Sequence, residues 1–287
     1  MGFLEEFIAG HPPRQVTVNG KTFEYLTGGS GETAFLVFPG AGQNALSCYD
    51  LIDAFENKYK VVAINISGLA GLEEFFEYVD QILKKEKVKN IIIYGLSLGG
   101  LLTQHYLRRH RDLISRVIIS HSGSTKSPTI IKKVIIPGKI LHFFLPILPL
   151  NLLQYLSVKF VGRFQVGKAN ILSLYQKYST PENLERRREY LKELSYSFWN
   201  REFLESFYKI GMDLREAEKN FSADDFKNWR GKILILKTDN DPLAKDEGML
   251  KKLYPQAKVY IFHETGHLTP FIQFENMVKV IKNFLEN

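Results

Sequence analysis

The chain has 287 residues, 45% of them hydrophobic and 24% charged, which excludes disordered, collagen-like and short disulfide-stapled chains and leaves a soluble globular protein with a large core. Lysines and arginines number 38 against 31 aspartates and glutamates, a net charge of +7. The longest basic run, Arg186-Arg187-Arg188, lies among Glu182, Glu185 and Glu189, the pattern of a solvated helix face and not of a nucleic-acid groove.

The N-terminal stretch MGFLEEFIAGHPPRQ carries Glu5 and Glu6 where a signal peptide needs positive charge and then an unbroken apolar run. With one cysteine, Cys48, no internal disulfide can form, and a reducing cytoplasm is the expected compartment. Gln15 to Val18 and Phe23 to Thr27 flank Asn19-Gly20, a strong hairpin signal. The turn Gly28-Gly29-Ser30-Gly31 then leads into Ala34 to Phe38, a short continuous apolar run typical of a strand buried on both faces. Similar runs recur at Val61 to Ile66, Asn90 to Tyr94 and Val117 to Ser120. Between them lie helical patterns, clearest where Leu72, Phe75, Phe76, Val79, Ile82 and Leu83 form one stripe of period near 3.6. Strand and helix in alternation predict an α/β fold: a mostly parallel central sheet covered by helices on both faces.

The alternation stops near Ser122 and resumes near Lys232. From 125 to 221 the chain is rich in Leu, Ile, Phe and Tyr at helical spacing with no convincing strand, so this span is expected to be a helical cap inserted in one core domain made of 1–124 and 222–287. Within it, Ile140 to Val158 holds no Asp, Glu, Lys or Arg and approaches the ~20 residues of a spanning helix. Pro146 and Pro149 would break such a helix, so a lid is expected, with weak contact to a membrane surface as the lesser reading. Lys232 to Lys237 and Lys258 to Phe262 then restore strands. Thr269-Pro270 is expected to cap and start an amphipathic helix reaching Leu285.

Gly95-Leu96-Ser97-Leu98-Gly99-Gly100 follows directly on one of the apolar strands and precedes the helical stretch Leu101 to His110. That is G-x-S-x-G in the strand-turn-helix setting that presents a serine nucleophile on a sharp turn. Small residues two before and two after let strand and helix pack around it, and the helix start aims amide N–H groups at the site. A serine needs a base and the base an orienting carboxylate, in the chain order Ser, acid, His. His267, in a loop just before the last helix, is the expected base in preference to His263 at the end of the last strand and His142 in the insertion. Asp241 is preferred over Asp239 because the following Pro242 biases it to an extended conformation. An oxyanion needs two preorganised donors: the amide of Leu98, and one from the loop Phe38-Pro39-Gly40-Ala41-Gly42-Gln43, Ala41 first and Gly42 as its near alternative.

From about Gln15 to the C-terminus, the ordered pieces FPGAGQ, GLSLGG, TDNDP and ETGHLTP resemble the α/β-hydrolase superfamily, on its serine esterase and lipase side. The resemblance implies the nucleophile, acid and base places for Ser97, Asp241 and His267, and a cap for the insertion. Pro39 stands where many members carry histidine. Leu253-Tyr254-Pro255 adds a faint likeness to maspardin-type members, some of which are binding proteins. A serine at the nucleophile place speaks against haloalkane dehalogenase or epoxide hydrolase chemistry, which uses Asp there. No cofactor is implied, and no zinc spacing of Cys and His is present.

The apolar insertion points to a small ester with a medium or long apolar acyl group, with Gly40, Phe143, Phe144 and Leu148 as candidate contacts. Thioester hydrolysis, acyl transfer and C–C hydrolysis use the same three groups. A non-catalytic protein that binds a small apolar ligand is the reading of a different class.

Overall fold

A computed structural model describes residues 2–162, 170–194, 199–241 and 248–287. Its eight strands are β1 (Arg14–Val18), β2 (Lys21–Gly28), β3 (Thr33–Phe38), β4 (Lys60–Ile64), β5 (Asn90–Leu96), β6 (Ile114–Ser120), β7 (Lys232–Thr238) and β8 (Lys258–Phe262). They form one sheet in the order β1-β2-β4-β3-β5-β6-β7-β8. β1 and β2 pair antiparallel, as do β2 and β4, while every pairing from β4 through β3 to β8 is parallel. The expected hairpin is present: Val18 pairs with Lys21, and Asn19 and Gly20 both have positive φ, 48° and 77°, the mirror-image turn that matches strand twist.

The helices are α1 (Phe3–Gly10), α2 (Tyr49–Phe55), α3 (Leu72–Lys85), α4 (Leu98–His110), α5 (Pro128–Ile130), α6 (Ile136–Phe144), α7 (Leu150–Gly162), α8 (Ile171–Tyr178), α9 (Pro181–Leu194), α10 (Arg201–Glu218), α11 (Gly248–Leu253), α12 (Thr269–Ile272) and α13 (Phe274–Glu286). Side chains alternate across a strand, and both faces of this sheet are apolar. Leu36 and Phe38 of β3 enter the core shared with α3 and α4, whereas Phe35 and Val37 enter the core shared with α2 and α13. Such continuous apolar strands are the signature of a sheet covered on both sides.

Between β6 and β7 the described residues are helical, with a π-helical turn at Ile131–Ile135 joining α5 to α6. This insertion divides its packing. α10 buries Ile210 and Leu214 in the α3/α4 core, and α9 buries Tyr190 in the α2/α13 core. The remaining stretch, α5 to α7, stands over the carboxyl ends of the strands. The two ends of the whole segment between β6 and β7 are tied together by Glu218 of α10, whose buried carboxylate accepts from the Thr125 amide at 2.7 Å and from the hydroxyls of Ser124 and Thr125.

The C-terminal helix is not the single rod expected from Thr269 to Leu285. It breaks at Gln273, whose backbone leaves helical geometry at φ −109°, ψ 38°. The Gln273 side-chain amide donates instead to the His263 carbonyl and the Thr265 hydroxyl, both at 2.9 Å. Thr269 is helical, not a cap, and its hydroxyl donates to the Gly266 carbonyl.

One buried ion pair fastens the insertion to the core. Arg187 of α9 and Asp50 of α2 meet at 2.5 Å, each nearly excluded from solvent. The Arg187 guanidinium lies over the rings of Tyr49, Tyr190 and Phe271. Cys48 is buried alongside, its thiol pushed up to about 12 by burial. Removing one member strands the other charge in a low-dielectric interior. Arg187→Met should therefore cost about 3–5 kcal/mol of unfolding free energy, and Asp50→Leu/Arg187→Met should restore most of it. Urea denaturation of both variants decides this, and a loss under about 1 kcal/mol in the single variant contradicts it.

Candidate active site

Ser97 occupies the junction of β5 and α4 with φ 52° and ψ −110°, a conformation L residues avoid and one that stores about 1–3 kcal/mol of strain. The surroundings hold it there. The Ser97 amide donates to the Ser120 carbonyl at 2.9 Å, and the Ser97 carbonyl accepts from the Ser122 hydroxyl at 2.7 Å. Both glycines of the motif are sterically required. A Cβ at Gly95 would lie 2.2 Å from the Gly99 carbonyl oxygen, and one at Gly99 would lie 2.0 Å from that of Phe38. Strand β5, helix α4 and the end of β3 thus touch backbone to backbone around the serine.

Histidine and acid come from the two adjacent loops, after β8 and β7. His267 Nδ1 sits 2.8 Å from Asp241 Oδ2, with the Asp241 side chain fully buried and that of His267 13% exposed. Three consecutive side chains staple these loops together. Asp239 accepts from the Glu264 amide; Asn240 donates to the Glu264 carbonyl and accepts from the Gly266 amide at 2.9 Å; Asp241 engages His267. Pro242, on which the sequence argument for Asp241 leaned, lies outside the described residues. A second pair, His263 with Asp239 at 2.7 Å, is open to solvent at 72% and 48% side-chain exposure. It lies outside the cavity that holds Ser97 and His267.

That cavity has a volume of about 500 Å³, and Ser97, Leu98, His267, Gly40 and Ala41 line its floor. Neither the Ala41 nor the Leu98 amide finds an acceptor among the described residues. Gly42 does not line the cavity. At φ 74° its Cα is covered by the Trp199 indole, where a Cβ would approach to 2.3 Å. The upper wall comes from the insertion and includes Phe144 and Leu148. Phe143, the other aromatic candidate, does not line the wall and is 73% exposed. Neighbours on a helix point about 100° apart, so α6 turns Phe144 inward and Phe143 out.

His121 has no place in the serine, acid and base order expected from the sequence. It follows directly on β6 in a left-handed conformation, φ 46°, and lies fully buried behind His267, ring centroids 6.3 Å apart. Its ring nitrogens meet the Ser120 hydroxyl at 3.0 Å and the Thr238 hydroxyl at 2.8 Å. From Thr238 the contacts run on to Thr269 and Thr265, so a buried hydroxyl chain joins β6 and β7 to the loop that carries His267. Burial, with the neighbouring His267 contributing, pushes the His121 pKa down to about 3. His121 therefore stays neutral and sets no second positive charge against His267. The signal was available in the sequence as a Ser-His pair at the carboxyl end of an apolar strand.

Residues 33–273 match the alpha/beta hydrolase fold family, and the chain belongs to it. The chain superimposes on MGS-M2, an alpha/beta hydrolase enzyme from a Medee basin deep-sea metagenome library, with TM-score 0.72, 13% identity and coverage of 96% of this chain and 98% of that one. A thermophilic esterase from Thermogutta terrifontis matches at TM-score 0.67, 14% identity and 96% and 98% coverage. The epoxide hydrolase CorEH matches at TM-score 0.67, 14% identity and 96% and 99% coverage. Identities this low establish the shared fold. No curated protein matches the chain.

The neutral buried His121 has a measurable cost in acid. Its folded pKa, about 3, lies below the ordinary 6.5, so its contribution is complete above pH 6.5 and is lost as pH falls toward 3. By pH 5 this amounts to about 2 kcal/mol. The drop in urea midpoint between pH 7.5 and pH 5 should shrink in His121→Gln, while an undiminished drop would rule this origin out.

Proposed function

We propose that the protein is a serine hydrolase that cleaves carboxylic esters with an apolar acyl group. The observation that carries the reading is the coincidence, in one apolar cavity, of a strained Ser97 and a His267 whose far nitrogen is held by a buried Asp241. With Nδ1 engaged by Asp241, His267 offers Nε2 to the serine hydroxyl. Ser97 Oγ attacks the ester carbonyl as His267 takes its proton, and Asp241 stabilises the imidazolium. The Ala41 and Leu98 amides receive the oxyanion, helped by the positive end of α4. His267 then protonates the leaving alcohol, and water repeats the sequence on the acyl-enzyme.

The wall supports the substrate class. Among the described residues no Asp, Glu, Lys or Arg lines the cavity, which is bounded by side chains such as Leu141, Leu145, Leu204 and Phe207. A substrate bearing a carboxylate would find no lysine or arginine to receive it, and burying that charge unpaired is costly. Neutral esters with long acyl groups fit, and the volume of about 500 Å³ is within the usual range for a small-molecule site.

Hydrolysis of p-nitrophenyl esters of increasing acyl length tests both parts. The wild type should prefer medium or long chains over acetate, Ser97→Ala should fall to background, and His263→Ala should keep wild-type turnover. A wild type that neither turns over any ester nor labels with a fluorophosphonate would replace the esterase by a non-catalytic binding protein.

A further inference from the structure

From Leu113 to Pro181 the sequence contains no aspartate or glutamate, yet it carries nine lysines and arginines. The same span holds most of the exposed large apolar side chains among the described residues. They are ordered. On and just after α6, Ile136, Ile140, Phe143, Phe144 and Ile147 follow one another at helical spacing and are 41% to 73% exposed. Lys132 and Lys139 flank this row and are themselves exposed. Leu150, Tyr155 and Leu156 of α7, with the exposed Lys159, extend it. Contiguous exposed apolar area of this kind marks an interaction surface.

The opposite side of the same helix faces the cavity through Pro137, Leu141 and Leu145. Ile140, Phe144 and Leu156 belong to both: they are exposed, and they line the cavity. The apolar surface is therefore continuous with the rim of the pocket that contains Ser97.

We infer that this face docks on an anionic lipid bilayer, with the α6 row entering the interface and the lysines meeting lipid phosphates. An apolar stripe rimmed by lysine matches the requirements of interfacial binding. A second copy of the chain fits less well. A two-fold contact would bring the same lysine-rimmed stripe against itself, lysine facing lysine with no carboxylate in the span to neutralise it. No helix among the described residues is long and apolar enough to cross a membrane, so the contact is peripheral. Docked this way, the pocket rim opens against lipid, and an acyl chain passes from bilayer to serine without crossing water. This delivery step rests on the esterase reading, whereas the docking does not.

Flotation with vesicles tests the docking without using the chemistry. Ser97→Ala should float with phosphatidylcholine vesicles containing phosphatidylglycerol at least tenfold better than with phosphatidylcholine alone, and less at high salt. Phe143→Asp/Ile147→Asp, two exposed positions outside the cavity wall, should lose flotation while keeping wild-type turnover of soluble p-nitrophenyl butyrate. Lys132→Glu/Lys139→Glu should lose the preference for anionic vesicles. No flotation with either vesicle overturns the proposal, as does equal flotation of the aspartate variant. A concentration-dependent dimer that the aspartate variant dissolves, without flotation, would assign the face to a second copy. Flotation with no ester turnover leaves docking standing and removes the esterase reading.

Discussion

Everything at the site depends on how closely three pieces of backbone approach one another around Ser97. The strained turn can exist only because Gly95 and Gly99 leave no Cβ between β5, α4 and the end of β3. That contact sets the start of α4 directly beside the Phe38-Pro39-Gly40-Ala41 loop, so the two candidate oxyanion amides lie on one cavity floor. It also sets the serine at the carboxyl ends of the parallel strands, where loops after β7 and β8 can reach it. The strain is offset by a dense hydrogen-bonded surround and by two apolar cores beneath it.

Much of this was legible in the sequence because it depends on local rules. Apolar runs of five to seven residues declare doubly covered strands, Asn19-Gly20 declares its hairpin, and glycines two before and two after a serine declare a sharp turn. The staple of Asp239, Asn240 and Asp241 was half legible, since the choice of acid was read from Pro242, whereas the structure distinguishes the acids by burial. What escaped depends on distant partners. Nothing near His121 in sequence announces Thr238 or Thr269, which arrive from 117 and 31 positions away along their respective hydrogen bonds. Gln273 breaks a helix that periodicity alone would continue, and its side-chain amide reaches back to a loop ten positions earlier. Phe143 and Phe144 are indistinguishable by composition, and only the rotation of α6 about its axis separates wall from surface.

The site combines two dielectric regimes. Below, polar groups are packed and mutually satisfied: Asp241 with His267, His121 between two hydroxyls, Asn240 bridging two loops. Above, the wall is mostly hydrocarbon, with His142, Ser157 and Tyr208 among it. Charge that develops on the serine side of an acyl transfer would meet oriented amides and an imidazole, while the acyl chain would meet Leu, Ile and Phe. On the proposed function, this separation would leave the chemistry to sheet loops and α4 and the shaping of what enters to α5 to α7.

Cys48 carries a practical consequence. It is the chain's one cysteine, it is buried, and burial keeps its thiol protonated at neutral pH. Alkylating probes will therefore pass it by in the folded protein. A cysteine introduced at a solvent-facing position would be the single reactive thiol, so a spin label or fluorophore could be installed on the insertion without first editing the native sequence.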